Sequence, residues 1–340
     1  MTSLSLCMIV RNEAASLPRC VESLGSVYDD LCIVDTGSTD STVDIARSLG
    51  ARVVIDTTCN DADGVIADFS VARNAALALV ETEWFLQIDA DEVIRAGLDV
   101  LASTVATDRD DAVLIRMIAN DNRWLYPRLI RTRSCKGYKN AVHEFAMRTG
   151  TFRVEAAIEI ENLPNKVGKE SSNVRNLRIC LAEVARDPER SWLWYNLARE
   201  HDFAGDHKAA AVAYRTALGL GNLKALRHNT LVGLATCYAN AGDTQAGFET
   251  ARQAVKEFPK RAEAMCLLGD IMTNAGEHAR ARDWYALAQK CSPPSTTDWS
   301  SYWTDAYSAY PTAKIAEIDD YQPTGLTSNR NDGEGSSTKI

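Results

Sequence analysis

The stretch Trp84-Phe85-Leu86-Gln87-Ile88-Asp89-Ala90-Asp91-Glu92 is an apolar run that ends abruptly in three carboxylates. Its first five residues are uncharged and rich in aromatic and β-branched side chains, which predicts a strand buried on both faces of a parallel sheet. The carboxylates then follow the carboxyl end of that strand, and in an open α/β sheet this end borders the ligand crevice. The stretch therefore predicts both the fold and the position of a site.

The spacing of the acidic residues allows two interpretations. Asp89 and Asp91 are two residues apart, so in extended backbone their side chains point to the same side and can share one hard cation through oxygen ligands. A divalent ion held there would neutralise a pyrophosphate. Alternatively, Asp91 and Glu92 begin a helix, where acidic side chains suit the dipole.

Further strands and helices alternate along the first half of the chain. Helices are predicted after Ser16 and over 43–49, 69–80 and about 98–105. Strand, helix and strand in succession imply right-handed crossovers and a parallel sheet. The remaining strands are predicted at 4–10, 31–34, 52–56, 112–118, 124–130 and 152–160.

Composition limits the possible classes of protein. A length of 340 residues favours two domains, and 46% apolar residues suffice for packed cores. A net charge of −9 argues against general affinity for nucleic acid or an anionic membrane. Nine scattered cysteines without a C-x-x-C pair indicate neither a disulfide framework nor a zinc cage. No stretch approaches the roughly 20 apolar residues of a membrane span, so we expect a soluble, cytoplasmic protein.

A basic stretch lies between the acidic strand end and Val142-His143-Glu144. It is either a solvated surface or a site for phosphate or acceptor. Its members are Arg123, Arg128, Arg131, Arg133, Lys136 and Lys139.

The second half of the chain contains internal repeats. Gly205, Gly242 and Gly276 lie 37 and then 34 residues apart, each within a similar pattern of small and apolar residues. This pattern resembles the tetratricopeptide family over about 173–291, as three helix pairs preceded by a helix over 174–185, and it implies an all-α solenoid. Residues expected to form a final cap are Trp299, Tyr302, Trp303, Tyr307 and Tyr310.

The first half is similar to the family 2 glycosyltransferases of the GT-A type, which implies a Rossmann-like α/β domain with a mostly parallel sheet. The expected division is 1–165 for this domain, 166–310 for the repeats and 311–340 for a polar, disordered tail. Five motifs in order carry the resemblance: Met8-Ile9-Val10-Arg11-Asn12-Glu13, Val34-Asp35-Thr36-Gly37-Ser38-Thr39-Asp40, Ala72-Arg73-Asn74, the D-x-D motif Asp89-Ala90-Asp91-Glu92, and Val142-His143-Glu144.

The resemblance implies an inverting transfer from a nucleotide-diphosphate sugar, with a UDP-sugar as the first choice, aided by Mn²⁺ or Mg²⁺. Asp91, with Asp89 and His143, would bind the metal, whose charge stabilises the leaving nucleoside diphosphate. The residues expected to bind the donor are Val10, Arg11, Asn12, Glu13, Asp35, Arg73, Asn74 and Asp89.

The catalytic base is assigned less directly, because the separate Glu-Asp motif of many relatives is missing. Glu144 is the candidate, with His143 as a neighbouring base or metal ligand. The alternative is that both residues only stabilise their loop by hydrogen bonds.

Two functions follow from these observations. The first is a metal-dependent glycosyltransferase whose repeats bind the acceptor, a saccharide or a polypeptide, or a partner protein. The second is a protein-binding scaffold with a catalytically inactive first domain. The sequence does not favour a dehydrogenase, a kinase-like enzyme or a hydrolase. The motifs typical of these classes, respectively G-x-G-x-x-G, the P-loop and G-x-S-x-G, are not present.

Overall fold

A computed structural model describes residues 3–107, 110–120, 122–165, 170–221, 223, 226–294 and 304–320. The chain forms two compact units, Met1–Pro188 and Glu189–Ile340. The division after Pro188 lies later than the expected one after residue 165. The first unit therefore includes the helix over Ser172–Arg186.

The first unit is an α/β domain. Its strands are β1 (Leu4–Val10), β2 (Asp30–Asp35), β3 (Arg52–Ile55), β4 (Trp84–Gln87), β5 (Glu92–Ala96), β6 (Ala112–Ala119), β7 (Asn122–Arg131), β8 (Cys135–Lys139), β9 (Phe145–Arg148) and β10 (Phe152–Asn162). Its helices are α1 (Leu17–Ser23), α2 (Thr42–Ser48), α3 (Phe69–Leu77), α4 (Leu98–Val105) and α5 (Ser172–Arg186).

Eight strands form one sheet in the order β3-β2-β1-β4-β7-β6-β10-β5. Strands β3, β2, β1 and β4 are parallel, as are β6 and β10, while β7 and β5 run antiparallel to their neighbours. The predicted mostly parallel sheet is confirmed. The carboxyl ends of β1, β2 and β4 therefore lie at one edge of the sheet.

Strand β4 is buried on both faces, as its sequence predicts. Trp84 and Leu86 pack into the core that contains α1 and α4, whereas Phe85 packs into the core that contains α3. This alternation follows from the two-residue period of a strand. Helices on both faces exclude water from the strand, so the acidic residues lie after it rather than within it.

The chain does not stay extended after β4. The amide N–H of Glu92 donates to the carbonyl oxygen of Asp89 at 2.9 Å and closes a turn. Strand β5 then begins at Glu92 and pairs antiparallel with β10. The expectation that Asp89 and Asp91 share one side of an extended strand is therefore wrong. The alternative, in which Asp91 and Glu92 begin a helix, is also wrong.

Three short strands, β5, β8 and β9, were not predicted from the sequence. Strands β8 and β9 form a separate antiparallel pair, joined by a loop that carries His143 and Glu144. Asn74 on α3 fixes β8, because its side chain accepts from the Tyr138 amide at 2.7 Å and donates to the Tyr138 carbonyl at 3.0 Å. The loop is thereby held next to the carboxyl edge of the large sheet.

The second unit is all-helical, as the repeats predict. Its helices are α6 (Ser191–Phe203), α7 (His207–Leu220), α8 (Leu226–Asn240), α9 (Thr244–Glu257), α10 (Glu263–Asn274), α11 (His278–Ala288) and α12 (Ala309–Asp319). Successive helices pack as the pairs α6 with α7, α8 with α9 and α10 with α11. These are the three predicted pairs.

The end of the second unit differs from expectation. The tail predicted over 311–340 is wrong for its first residues, because α12 is helical to Asp319; residues 321–340 lie outside the described part of the chain. The predicted cap residues Trp299, Tyr302 and Trp303 also lie outside it. The other two contact α10, since the hydroxyls of Tyr307 and Tyr310 donate to Glu263 and Asp270 at 2.7 Å.

Close helix packing gives a first testable prediction. A Cβ atom added at Gly269 would lie 2.5 Å from Cε1 of the fully buried Tyr285, whereas a Cβ at Gly219 would meet no atom within 4 Å. We expect Gly269→Ala to lower the free energy of unfolding by about 1–3 kcal/mol through overpacking. Gly219→Ala is the matched control, and we expect it to raise that free energy by up to about 1 kcal/mol through helix propensity. Urea unfolding of both variants measures the difference, and equal stabilities would contradict the packing argument.

Candidate active site

A cavity of about 660 Å³ lies in the first unit, at the carboxyl edge of the sheet. This is the position that the apolar strand and its acidic end predict. The cavity brings together most of the predicted site residues from four separate motifs. Those in its lining are Val10, Arg11, Asn12, Glu13, Arg73, Asp89, Asp91, His143 and Glu144.

The loop after β1 is fixed by the loop after β2. Asn12 adopts a left-handed backbone with φ of +54°, which Asn tolerates better than most residues. Its amide N–H donates to Ser38 Oγ and its side-chain oxygen accepts from the Thr39 amide, both at 2.8 Å. The Glu13 amide donates to Thr42 Oγ1 at 2.7 Å. These bonds hold residues 11–13 as one rigid wall of the cavity.

Two predicted donor-binding residues lie outside the cavity. Asp35 is fully buried, and its carboxylate accepts from the amides of Gly37 at 3.0 Å and Ser38 at 2.8 Å, so it stabilises its own turn. The side chain of Asn74 is engaged by Tyr138, as described above. Both side chains bond within the fold at these positions, and neither is part of the cavity lining.

Asp89 lies between two buried arginines. Arg73 Nη2 donates to Asp89 Oδ1 at 2.6 Å, and Arg128 Nη1 lies 3.8 Å from Asp89 Oδ2. The same arginines also bind other carboxylates: Arg73 Nε donates to Glu144 at 3.1 Å and Arg128 Nη2 to Glu92 at 2.6 Å. The five side chains form one network of charged hydrogen bonds, which we call the arginine–carboxylate network.

The network changes the pKa values of its acids in opposite directions. Burial would raise the pKa of Asp89, but the charges of Arg73 and Arg128 outweigh it and hold that pKa below the ordinary 3.8. Burial raises the pKa of Glu92 to about 7, despite the opposing charge of Arg128. Asp89 is therefore the permanent anion at the centre of the network.

The predicted joint metal site of Asp89, Asp91 and His143 is not assembled. Among the described residues these three side chains do not bring ligand atoms within 4.8 Å of one another, and Asp89 is already bound by the two arginines. Asp91 is oriented differently, because the turn after β4 separates it from Asp89. Its carboxylate lines the cavity, and its Oδ1 accepts from Asn162 Nδ2 at 3.4 Å.

The loop with His143 and Glu144 is tightly held. Ala141 accepts the amide N–H of Phe69 at 2.8 Å, and the Glu144 carbonyl accepts from the Tyr126 hydroxyl at 3.2 Å. His143 adopts a left-handed backbone with φ of +53°, which is uncommon for a bulky residue and costs energy. The loop thus presents both side chains to the cavity.

The predicted basic stretch does not act as one surface. Arg128 enters the network, whereas Arg131 stacks on the Trp84 ring at 4.3 Å and Arg133 lies 3.7 Å from Asp111. Within this stretch, Arg128 alone is part of the cavity lining. The strand period does not single out Arg128, because the pairing of β7 with β6 is irregular between Pro127 and Leu129.

Known proteins were compared with this chain. The family model described as glycosyl transferase family 2 matches residues 5–158, and a tetratricopeptide repeat model matches residues 193–220. A tetratricopeptide repeat-containing protein of Synechococcus elongatus is 30% identical over 282 residues, which cover 76% of this chain and 67% of that protein. Residues 5–158 form a glycosyltransferase family 2 domain, and tetratricopeptide repeats follow it.

Other similar proteins carry glycosyltransferase names. An uncharacterized glycosyltransferase of Rickettsia bellii is 34% identical over 34% of this chain and 37% of its own length. The glycosyltransferase SunS of Bacillus subtilis is 24% identical over 55% of this chain and 47% of its own. The chain thus spans less than half the length of these two relatives. The solved structure of MamA matches 42% of this chain and 84% of its own at 16% identity, with a TM-score of only 0.33.

The cavity of this family 2 glycosyltransferase extends beyond the matched region. Glu170, Arg175 and Asn176 also line it, and they follow residue 158, where the family model ends. They were not predicted, because residues 166–310 were assigned to the repeats. None of the described helices is both long and apolar enough to cross a membrane.

One cluster with metal-ligand chemistry occurs in the second unit. His207 Nδ1 and Cys237 Sγ lie 2.9 Å and 3.4 Å from Oδ1 of Asp202. These are hydrogen-bond distances, and the interaction joins the α6–α7 turn to α8. We therefore assign no metal to this cluster.

Proposed function

We propose that this glycosyltransferase is metal-dependent and inverting, and that it transfers a sugar from a nucleotide-diphosphate sugar to a saccharide or polypeptide acceptor. The main support is the arrangement of the D-x-D motif in the cavity lining: Asp89 pairs with Arg73 and Arg128, and Asp91 lines the same cavity. Both arginines also have a buried nitrogen that no described residue bonds, Nη1 of Arg73 and Nε of Arg128. Buried donors of this kind favour an anionic ligand.

The residues present fit a divalent ion held by few protein ligands. Mg²⁺ commonly binds one or two carboxylates together with substrate phosphates. Asp91 would hold Mn²⁺ or Mg²⁺ with the phosphate oxygens of the donor, without Asp89. When bound there, the ion stabilises the charge of the leaving nucleoside diphosphate as a Lewis acid.

Glu144 is the proposed general base, and its surroundings fix the position of its carboxylate. Arg73 holds one of its oxygens at 3.1 Å, and 15% of the side chain is exposed. The arginine fixes the orientation of the carboxylate, and the cavity gives an acceptor access to it. Glu144 would then remove the acceptor proton on the face opposite the leaving group. His143 is the proposed neighbour that orients the acceptor.

The repeats are proposed to bind the acceptor or a partner protein. Stacked helix pairs form extended surfaces that bind peptides in many repeat proteins. A polypeptide acceptor is therefore favoured slightly over a saccharide.

The full-length protein tests the proposal with a panel of nucleotide sugars. We expect Mn²⁺-dependent release of nucleoside diphosphate from one donor, and loss of this activity in EDTA. Glu144→Gln should lower turnover by about 100- to 10,000-fold, the usual contribution of general base catalysis, while leaving nucleotide binding intact. Donor turnover that needs no metal, or that Glu144→Gln does not change, would contradict the assignments.

A further inference from the structure

Helix α5 covers one side of the cavity, although it lies after the matched glycosyltransferase region. Arg178 anchors it: Nη1 donates to Asp61 Oδ2 at 3.1 Å and Nη2 donates to the Ile66 carbonyl at 3.0 Å. The Asp61 side chain is itself ordered, because its Oδ1 accepts from the Val65 amide at 2.9 Å. Since Val65 and Ile66 line the cavity, α5 is fastened directly to the cavity wall.

Arg175 lies one helical turn before this anchor and lines the cavity. Its guanidinium stacks on the Phe69 ring at 4.8 Å. Its Nε and Nη2 donate to Asn176 Oδ1 at 3.2 and 3.1 Å. A guanidinium supported on one face and one edge has lost most of its conformational freedom before any ligand binds. This pre-organisation lowers the cost of binding an anion.

The charges of the cavity favour a further cation, such as the Arg175 guanidinium, for binding an anion. The arginine–carboxylate network has two positive charges, from Arg73 and Arg128, against three formal negative charges, from Asp89, Glu92 and Glu144. Asp91 adds another negative charge at the same end. A divalent ion at Asp91 therefore does not by itself leave a surplus of positive charge for a diphosphate and the sugar it carries.

Arg175 is placed to supply the missing charge. Its guanidinium lines the same cavity as Asp89 and Asp91. Among the described lining residues, the other guanidinium outside the network is that of Arg11, which belongs to the loop after β1. A planar guanidinium also binds two phosphate oxygens at once, which an ammonium does not.

We propose that Arg175 binds the diphosphate of the donor, so that α5 completes the donor site of the glycosyltransferase domain. This inference rests on the proposed function, because it assumes a nucleoside diphosphate in the cavity. Phe69 and Asn176 orient the guanidinium, and Arg178 positions the helix that carries it.

Calorimetric titration of the full-length protein tests the inference. UDP and uridine are the probes, with GDP and dTDP in parallel, all in the presence of Mn²⁺. We expect Arg175→Ala to weaken binding of the diphosphate by about 10- to 100-fold, the range for a hydrogen bond to a charged group, without changing nucleoside binding. Arg175→Lys should recover part of the loss, because it restores the charge without the planar fork.

Arg186→Ala is the matched control, because Arg186 is on the same helix, pairs with Glu183 at 2.9 Å and does not line the cavity. It should bind the diphosphate as the natural protein does. Unchanged diphosphate binding in Arg175→Ala, or equal losses for diphosphate and nucleoside, would overturn the inference. If the natural protein itself binds none of the diphosphates, the proposed function fails, and this inference fails with it.

Discussion

Asp91→Asn is expected to lower the turnover number for sugar transfer by about 1,000-fold, which corresponds to about 4 kcal/mol of transition-state stabilisation supplied through a bound metal ion. The change removes a negative charge from the cavity lining, where Oδ1 of Asp91 accepts from Asn162 Nδ2 at 3.4 Å. The asparagine has nearly the same shape and can keep the bond to Asn162. We therefore expect the free energy of unfolding to change by less than about 0.5 kcal/mol.

Steady-state kinetics across a range of Mn²⁺ concentrations measures this effect. The variant should need far more Mn²⁺ for its residual activity, because one of few protein ligands is gone. Asp44→Asn is the matched control, since Asp44 is 87% exposed and lies 4.0 Å from Arg47 on α2, away from the cavity. A variant of Asp91 with full activity would exclude this residue as the metal ligand.

The sequence predicts the general architecture because the period of its hydrophobic residues, which distinguishes strands from helices, depends only on residues that are close in the sequence. Strand β4 is apolar on both faces, so its sequence indicates burial between two layers of helices, and the structure places it there. Gly205, Gly242 and Gly276 mark the repeats because the same turn recurs after the first helix of each pair. Such features need no knowledge of distant residues.

The sequence motifs indicate which residues lie near the site, but they do not indicate which of these side chains pair with one another. Arg73 on α3, Asp91 after β4 and Glu144 in the β8–β9 loop belong to three motifs, and all three residues line one cavity. One partner of Asp89 is Arg128, which lies 39 positions further along the chain. No local pattern specifies which arginine of the basic stretch points into the cavity. The D-x-D spacing therefore suggested a shared cation where the structure has an ion pair.

Helix α5 shows a second limit. Arg175 reaches the cavity because Arg178 binds Asp61 and the Ile66 carbonyl, contacts that span more than 100 residues of sequence. The pattern of α5 predicts a helix but not the surface it packs against. The sequence placed the domain boundary before α5, whereas the contacts of α5 include this helix in the first unit.

Asp91→Asn is expected to lower turnover but not stability, whereas we expect a substitution of Asp89 to lower stability. Asp89→Asn should lower the free energy of unfolding at pH 7 by about 3 kcal/mol, the low end for breaking a buried ion pair, because it leaves Arg73 and Arg128 without their shared anion. The low end applies because 32% of the Asp89 side chain is exposed. Asp91→Asn is the matched control, with the same chemical change two residues away and little effect on stability.

The pH dependence separates a charge effect from a packing effect. The pKa of Asp89 is lowered from 3.8 in the folded state, so its stabilisation is fully present above about pH 4 and is lost as pH falls through the folded value. Protonated aspartic acid resembles asparagine in charge and shape, so the stability difference between Asp89→Asn and the natural protein should shrink as the solution is acidified below pH 4. Urea unfolding at pH 7, 5 and 3 measures this difference. A gap that stays constant over this range would mean that the substitution acts through packing, and that the two arginines do not depend on the charge of Asp89.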